Sequence, residues 1–440
     1  MALKLASQRE FMKIICEKRP LRGEVLIPSS KSHTIRAVTL STLAHGRSII
    51  HHPLQSSDCF AAVEASQLFG ARFRFGESWE IEGINGTPDI PENVVDVKNS
   101  GTTLYFFMGT AALVEGVTVL TGDAQIVRRP VQPLIDSLKN LGAEAYSTRG
   151  NGHPPVIVKG RLKGGKTRIT GSLSQYVSSL LIHSPLAERE TEIEVYDVLE
   201  KPYLQMTLDW LDRHRIHYEA SDDLTSFKVY GGQNYKGLEV SIPGDFSSAT
   251  FFLVGGAIGE GDITLINLSM DDVQGDKRVV DYLKEMGARI TAGQNTIRIQ
   301  GGRLRGVELD MGDTPDALPA MAVAGCFAEG KTSLRNLAHS RLKETDRIKV
   351  MANELRKLGG KVEELSDGMI VHQSSLKGGV VSGHGDHRVV MALTVAGTAI
   401  PGRTEIETAE AIQATVPNFI ELMKGLGAKI YKEGEKGESR

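Results

Sequence analysis

The pattern of apolar and polar positions repeats one local signal six times along the chain. Each copy is a helical stretch of apolar spacing that ends near a Leu-Gly-Ala sequence and leads into a short strand. Consecutive copies lie 72, 72, 73, 72 and 68 residues apart, a regularity that indicates a repeated supersecondary unit. The copies centre on Gly70, Gly142, His214, Gly287, Gly359 and Gly427, and the third lacks the glycine.

A second short strand follows each of the first five copies and predicts a hairpin. These strands are predicted at residues 79–82, 156–159, 227–230, 297–299 and 369–371. The sixth copy ends at Tyr431 without such a strand, and residues 11–16 have the composition to supply it. We therefore expect an α/β protein of two similar three-unit domains with a cleft between them. Their predicted extents are residues 27–243 for the first, and residues 1–26 plus 244–440 for the second.

The stretch 23–36 is typical of a strand, a tight turn and the start of a helix. Ser30 is the predicted N-cap, and Gly46 ends the helix whose body spans residues 36–44. Lys31 and Ser32 then lie on the first turn of this helix. Unpaired backbone N–H groups and the helix dipole favour an anion at that position.

Each unit has a comparable strand-to-helix turn, rich in Gly, Ser, Asn and Asp. The six turns are residues 28–32, 98–103, 171–175, 243–248, 312–316 and 383–388. Their serines and aspartates are explained equally well as helix caps alone. Lys31, Arg36, His387 and Arg388 exceed what capping requires, so we predict that the turns converge on a multi-anion site in the interdomain cleft.

Composition and charge narrow the class of protein. A net charge of −3 and 40% hydrophobic residues are ordinary for a soluble globular protein and indicate no nucleic-acid partner. No apolar run approaches membrane-spanning length. Cys16, Cys59 and Cys326 have no metal-ligand spacing and favour a reducing compartment, so we expect a cytoplasmic protein.

Residues 325–332 match the P-loop pattern letter for letter. A P-loop follows a strand and opens a helix. Here the predicted order is reversed, because a helix over 319–327 precedes a strand over 331–335. We therefore do not expect a nucleotide-binding loop at this position.

The charged turns belong to an ordered set of motifs that covers nearly the whole chain. The set is Ser30-Lys31-Ser32 with Arg36, Asn99-Ser100-Gly101-Thr102, Arg129-Pro130, Gly171-Ser172 with Gln175, Lys201-Pro202-Tyr203, Pro315-Asp316, Lys343-Glu344-Thr345-Asp346-Arg347 and Asp386-His387-Arg388. In this combination it closely resembles the 5-enolpyruvylshikimate-3-phosphate synthase (3-phosphoshikimate 1-carboxyvinyltransferase) family. The resemblance is closer to the archaeal-type branch than to the enterobacterial one.

The resemblance implies a fold, a reaction and partners. The fold is an inside-out α/β barrel in each of two domains, built from three βαβαββ units apiece. The reaction transfers the carboxyvinyl group of phosphoenolpyruvate to the 5-hydroxyl of 3-phosphoshikimate and releases phosphate, in the shikimate pathway to aromatic amino acids. It implies two small-molecule substrates, no metal and no cofactor, and we expect a monomer.

The same resemblance implies roles for individual residues. Phosphoenolpyruvate carries a phosphate and a carboxylate, so several cations must meet in one dry cleft. The implied catalytic residues are Asp316 as the base, Glu344 as the acid, Lys31, and His387 near the leaving phosphate. The implied phosphoenolpyruvate-binding residues are Lys31, Gly101, Arg129, Gln175, Arg347, His387 and Arg388. The implied acceptor-binding residues are Ser32, Arg36, Ser172, Ser174, Gln175, Tyr203, Asp316 and Lys343.

Four positions depart from the family's pattern. Tyr105 stands where the family has arginine, and Gln413 or Ala414 falls where it has a late lysine, so both changes weaken the cationic cluster. The turn of the third unit is one residue short and keeps only Ser174 of a serine pair. Glu200 aligns with a serine that helps to bind the acceptor phosphate.

Glu200 leaves the identity of the acceptor open. Either its carboxylate faces the acceptor, with Lys201 or Arg168 offsetting the charge, or it turns to solvent. One alternative to the synthase is a related enzyme on the same scaffold whose acceptor is an unphosphorylated or differently phosphorylated cyclitol. Another is a non-catalytic binder of an anionic metabolite. Asp316, Glu344 and His387 argue against the binder, because binding alone needs no acid and base together.

Overall fold

Six four-stranded mixed sheets are present in residues 12–434, the part of the chain that the computed structural model describes. In each sheet one pair of neighbouring strands is parallel and the other two pairs are antiparallel. One sheet per predicted unit confirms the sixfold repeat. The strands are β1 (Ile14–Glu17), β2 (Arg22–Leu26), β3 (Arg47–His51), β4 (Arg72–Arg74), β5 (Ser78–Glu82), β6 (Val95–Asp96), β7 (Val117–Thr121), β8 (Glu144–Ser147), β9 (Val156–Lys159), β10 (Gly165–Thr170), β11 (Thr191–Tyr196), β12 (Tyr218–Ala220), β13 (Ser226–Val229), β14 (Glu239–Ser241), β15 (Asp262–Ile266), β16 (Arg289–Ala292), β17 (Thr296–Gln300), β18 (Glu308–Asp310), β19 (Lys331–Arg335), β20 (Lys361–Leu365), β21 (Gly368–His372), β22 (Val380–Ser382), β23 (Arg403–Glu407) and β24 (Lys429–Lys432).

The hairpin partners confirm the repeat in detail. The five predicted strands are β5, β9, β13, β17 and β21, and β1 takes the same place in the sixth sheet. Ile14 lies opposite Ile406 on β23 and opposite Lys432 on β24. The predicted pairing of the N-terminal strand is therefore confirmed for its described part, while Phe11 lies outside the described residues. The sheet orders are β14-β3-β5-β4, β6-β7-β9-β8, β10-β11-β13-β12, β16-β17-β15-β2, β18-β19-β21-β20 and β22-β23-β1-β24.

Two strands cross between the halves of the chain. Strand β2 precedes the first three units but runs parallel to β15, and β14 runs parallel to β3. Ser29 and Gly244 form a bridge where the two connections pass each other. We propose domain boundaries after residue 26 and after residue 243 on this basis. Two separate clusters of buried hydrophobic residues support them, one within residues 35–242 and one within 14–27 and 246–430.

The helices explain why the fold is inside-out. Six of the helices in the described range are buried on nearly all sides, as expected for helices that are apolar all round. The helices are α1 (Lys31–Leu43), α2 (Ser57–Leu68), α3 (Gly101–Ala111), α4 (Gln132–Asn140), α5 (Ser174–His183), α6 (Lys201–Arg213), α7 (Phe246–Ala257), α8 (Val279–Glu285), α9 (Leu318–Phe327), α10 (Arg347–Lys357), α11 (His387–Ala399) and α12 (Phe419–Gly425). The buried helices pack against one another, α3 on α5 and both α7 and α9 on α11, and the sheets lie outside them.

The repeated glycines end the even-numbered helices. Gly70, Gly142, Gly287, Gly359 and Gly427 have φ between 83° and 102°, the left-handed conformation that closes a helix C-terminus. In the third unit this residue is Arg215 (φ 57°), so placing His214 at the repeated position was wrong by one residue. His214 is instead the C-cap of α6, with φ −86°.

Residues 325–332 have the element order that argues against a P-loop. Helix α9 ends at Phe327 and β19 begins at Lys331, so a helix precedes a strand here. In residues 12–434 there is also no helix whose length and hydropathy would let it cross a membrane.

Candidate active site

A cleft lies between the two halves, where α1, α3, α5 and α11 begin. It brings together fourteen of the residues implied by the sequence motifs. They are Lys31, Ser32, Arg36, Gly101, Arg129, Ser174, Gln175, Tyr203, Asp316, Lys343, Glu344, Arg347, His387 and Arg388. Ser172 is the exception, because it is not among the lining residues and its backbone N–H donates to Thr170 Oγ1 at 3.2 Å.

Helix caps hold several of these turns in place. The side chain of Ser30 accepts from the backbone N–H of His33 at 3.4 Å, which confirms the predicted N-cap of α1. Asp386 accepts from the N–H of Arg388 at 2.9 Å and caps α11 in the same way. The caps fix the first turns of both helices, so Lys31 and Arg388 reach the cleft from rigid supports.

Three arginines and two carboxylates alternate along one wall of the cleft, and we call this series the charge chain. Its order is Arg129, Glu344, Arg347, Asp316 and Arg388. Each Glu344 oxygen meets a different guanidinium, Arg129 at 2.9 Å and Arg347 at 2.5 Å. Each Asp316 oxygen does the same, with Arg347 at 2.6 Å and Arg388 at 2.7 Å. Both proposed acid–base residues therefore occupy donors that an anionic substrate would need.

The two carboxyl groups of the charge chain are ionised. Burial alone would raise the pKa of Glu344, but the charges of Arg129 and Arg347 outweigh burial and hold that pKa well below its usual range. Burial is likewise outweighed at Asp316, whose pKa is lowered by Arg388 and Arg347. Glu344 is thus a carboxylate in the absence of substrate.

Arg347 is the centre of this network. Its side chain is 1% exposed, and its Nε donates to Asp386 at 2.7 Å in addition to the contacts with Glu344 and Asp316. At one end of the charge chain, Arg129 also donates to the Leu342 carbonyl at 3.0 Å, across the interdomain boundary. The network therefore links the two halves as well as lining the cleft.

Lys31 pairs with a residue that the motifs did not indicate. Its Nζ lies 2.9 Å from Asp58, in the first turn of α2. Burial raises the pKa of Asp58 and is only partly offset by Lys31. Burial would lower the pKa of Lys31, but Asp58 and Glu344 raise it overall, so the ammonium stays charged. In the sequence, Asp58 is an ordinary acidic residue after the Ser56 cap, which gives no signal of a site.

His387 is buried in the same wall. It is 2% exposed, and its Nε2 has no hydrogen-bond partner among residues 12–434. Burial, together with the charges of Lys31 and Arg388, holds the pKa of His387 well below its usual value. The imidazole is therefore neutral and can donate or accept one hydrogen bond in the cleft.

Arg36 differs from the other cations of the cleft. Its guanidinium donates to Thr207 Oγ1 at 2.9 Å and to the carbonyl of Tyr203 at 3.1 Å. No carboxylate of residues 12–434 lies within ion-pair distance of it, and burial lowers the pKa of Arg36 to about 10. A buried cation held by neutral acceptors favours a substrate anion as its partner.

Glu200 faces the cleft and does not turn to solvent, and the cation beside it is not one of the two expected. Its side chain is fully buried and forms an ion pair with Lys343. Arg168 is exposed and pairs with Glu194 at 3.1 Å. Lys201 is exposed at the start of α6. We expected Lys343 to contact the acceptor directly, but its ammonium is paired with Glu200.

Two further departures from the family's pattern, at Tyr105 and Gln413, add no charge to the site. The Tyr105 hydroxyl donates to the Pro130 carbonyl at 3.1 Å, and its ring packs edge-on against Tyr176 at 5.0 Å. Gln413 is exposed and lines a separate pocket with Asn99. The cationic cluster is therefore smaller than the resemblance implies.

The side chains that line the cleft still carry a surplus of positive charge. The lining includes six lysines and arginines against four carboxylates, and Asp386 behind the wall pairs with one of these cations, Arg347. In the described range no group of three or more His, Cys, Asp or Glu residues is arranged to hold a metal ion.

Comparison with known proteins agrees with the fold and the motifs. The 3-phosphoshikimate 1-carboxyvinyltransferase of Acetivibrio thermocellus is 51% identical over 414 residues, which cover 94% of this chain and 98% of that protein. The protein of that name from Ruminiclostridium cellulolyticum is 48% identical over 421 residues, covering 96% and 99%. Relatives include archaeal proteins, such as that of Methanocella arvoryzae, 43% identical over 418 residues with 94% and 98% coverage.

A solved structure and a family model extend the comparison to the whole fold. The EPSP synthase structure from Acinetobacter baumannii superposes with a TM-score of 0.80 at 26% identity, covering 96% of this chain and 100% of that one. The model of the family described as EPSP synthase (3-phosphoshikimate 1-carboxyvinyltransferase) matches residues 15–423. On the repeat, the cleft and these similarities together, the chain belongs to the EPSP synthase family.

Proposed function

We propose that this protein transfers the carboxyvinyl group of phosphoenolpyruvate to the 5-hydroxyl of 3-phosphoshikimate and releases phosphate. The observation that carries the proposal is the charge chain, which places a partly buried carboxylate between each neighbouring pair of arginines in one cleft. The names of the relatives support the same reaction. It is a step of the shikimate pathway toward aromatic amino acids.

Substrate binding exchanges one set of anions for another. The phosphate and carboxylate of phosphoenolpyruvate take guanidinium donors of Arg129, Arg347 and Arg388, with Lys31 nearby. Arginine matches both groups because its planar fork can make two parallel hydrogen bonds to each. At Gly101 an added Cβ would make ordinary van der Waals contact with the Arg129 guanidinium, 3.7 Å from its Cζ, so the glycine leaves this space to the substrate. The carboxylate of the acceptor binds the guanidinium of Arg36.

The chemistry needs one base and one acid. Asp316 removes the proton of the acceptor hydroxyl as its oxygen bonds to C2 of phosphoenolpyruvate, and Glu344 gives a proton to the methylene carbon. The resulting tetrahedral carbon loses phosphate, which takes the proton held by Asp316 and is hydrogen-bonded by the neutral His387. The methyl group then returns a proton to Glu344. The products are an enol ether and inorganic phosphate, and the protein ends in its starting protonation state.

A steady-state assay of phosphate release tests this function. Phosphate should appear when phosphoenolpyruvate and 3-phosphoshikimate are both present, and not when either is omitted. Release from phosphoenolpyruvate alone would indicate a phosphatase. No release with any cyclic acceptor would favour a binder of anionic metabolites.

Replacing Arg129 with alanine should raise KM for phosphoenolpyruvate by about tenfold or more, since a charge-assisted contact is worth about 1.5–3 kcal/mol. Arg129 is 6% exposed and faces the cleft, whereas its neighbour Arg128 is exposed. Steady-state kinetics of Arg129→Ala and of Arg128→Ala as its matched control measure the difference. An unchanged KM in Arg129→Ala would assign the contact to another cation.

Binding of phosphoenolpyruvate should be accompanied by proton uptake at a pH of about 7. The substrate anions remove Arg129 and Arg347 from Glu344, so the pKa of Glu344 rises from its depressed value and the carboxylate takes up a proton. Calorimetric titrations in two buffers with different ionisation enthalpies measure the number of protons. Glu344→Gln should abolish the buffer dependence, and a wild type without buffer dependence would contradict the exchange of anions.

We further propose that the protein works as a monomer in the cytoplasm. Its three cysteines are all free and buried, which suits a reducing compartment. The two halves supply both walls of the cleft within one chain, so the site needs no second copy.

A further inference from the structure

Glu200 is a fully buried carboxylate that lines the cleft near Arg36 and Tyr203. It directly precedes α6 in a left-handed backbone conformation, φ 54°, and its side chain does not cap that helix. Its Oε2 instead accepts hydrogen bonds from the backbone N–H and the hydroxyl of Ser174, at 3.0 and 2.6 Å. Ser174 is the first residue of α5, so Glu200 fills the anion position at the N-terminus of that helix.

The cation that pairs with Glu200 comes from the other half of the protein. Lys343 Nζ donates to Glu200 Oε1, and the lysine side chain is 8% exposed. Burial alone would raise the pKa of Glu200, but the charge of Lys343 outweighs burial and leaves the carboxyl ionised. His339 lies 4.0 Å away and adds no charge, because burial lowers the pKa of its imidazole.

The two cations at this end of the cleft are therefore in different states. Arg36 has neutral hydrogen-bond acceptors and is available to one acceptor carboxylate. Lys343 and the Ser174 N–H already hold an anion that belongs to the protein. A phosphate group on the acceptor would compete for those donors and would meet the Glu200 carboxylate at close range.

We propose that Glu200 is a specificity-determining residue that holds the place of an acceptor anion. The cleft then takes a cyclic hydroxy acid with a neutral hydroxyl at the Lys343 end nearly as well as one with a phosphate there. This inference rests on the proposed carboxyvinyl transfer and concerns the same site. It predicts weak binding of 3-phosphoshikimate and weak discrimination against shikimate.

The test compares kcat/KM for 3-phosphoshikimate and shikimate at saturating phosphoenolpyruvate. In the wild type the two values should lie within about tenfold of each other, a difference of about 1.4 kcal/mol. Glu200→Ser and Glu200→Gln should each raise kcat/KM for 3-phosphoshikimate by about tenfold or more, through KM, because they remove a like charge beside the phosphate. Neither variant should improve the reaction of shikimate.

Glu194→Gln is the matched control, since this exposed glutamate of the same half lies on β11, away from the cleft, and should leave both values unchanged. Two variants are used because loss of the Ser174 contact could impair the folding of one of them. A wild-type preference for 3-phosphoshikimate of about a thousandfold would overturn the inference without any variant. Equal changes toward both acceptors would also overturn it. Activity toward neither acceptor would instead contradict the proposed function.

Discussion

Replacing Arg347 with methionine is expected to lower the free energy of unfolding by about 3–5 kcal/mol and to abolish turnover. The substitution leaves the carboxylates of Glu344, Asp316 and Asp386 without the guanidinium that they share. Breaking a buried ion pair from one side is costly because the remaining charge is desolvated without compensation. Methionine keeps most of the side-chain length, so the loss reports the charge and its hydrogen bonds.

Arg298→Met provides the matched control. Arg298 also makes two contacts with one carboxylate, Asp262, at 3.0 and 2.9 Å, but its side chain is 56% exposed. An exposed pair of this kind contributes at most about 1 kcal/mol. Urea unfolding of the two variants measures the difference. If Arg347→Met lost no more stability than Arg298→Met, the charge chain would not be the support of the cleft.

Glu344→Gln and Asp316→Asn should each lower kcat by about 10²–10⁴-fold, the usual contribution of a general acid or base. The amides keep the size of the carboxyl groups but neither release nor take up the proton that the reaction moves. Each amide keeps one of the two hydrogen bonds, through its carbonyl oxygen, and leaves the three arginines in place. The loss of stability should therefore be smaller than in Arg347→Met. Single-turnover kinetics and thermal unfolding of the same preparations separate the two effects.

Glu363→Gln is the control for this pair. Glu363 is exposed, pairs with His372 and has no contact with the cleft, so kcat should equal that of the wild type. A near-normal kcat in Glu344→Gln or Asp316→Asn would show that the acid–base roles belong to other residues. Loss of activity in all three variants would indicate an effect of the substitutions on folding.

The fold could be predicted from the sequence because its signals are local and repeated. A residue in the left-handed conformation follows each even-numbered helix, and in five of the six units this residue is glycine. The count of predicted hairpin strands left the sixth unit one strand short. That shortage predicted the pairing of β1 with β24 across almost the whole chain. Arg215 escaped this reasoning, because a non-glycine residue in the left-handed conformation has no sequence signature.

The contacts within the cleft could not be predicted in the same way. The motifs indicated which side chains meet there, but the partners of Glu200 and Lys31 depend on how distant elements pack. Lys343 lies 143 positions from Glu200 in the sequence, and Asp58 lies 27 from Lys31, without a motif around it. Neither distance corresponds to a helical or strand period, so spacing could not reveal the pairs.

Identification of the product formed in deuterium oxide tests the central claim, carboxyvinyl transfer in this cleft, most directly. The wild type with phosphoenolpyruvate and a cyclic hydroxy acid acceptor should give an acceptor joined to a carboxyvinyl group by an enol ether bond. One phosphate should be released for each bond, and the methylene group should carry deuterium because it is protonated and deprotonated during the reaction. Pyruvate with phosphate, or an acceptor carrying a phosphoryl group, would contradict the account.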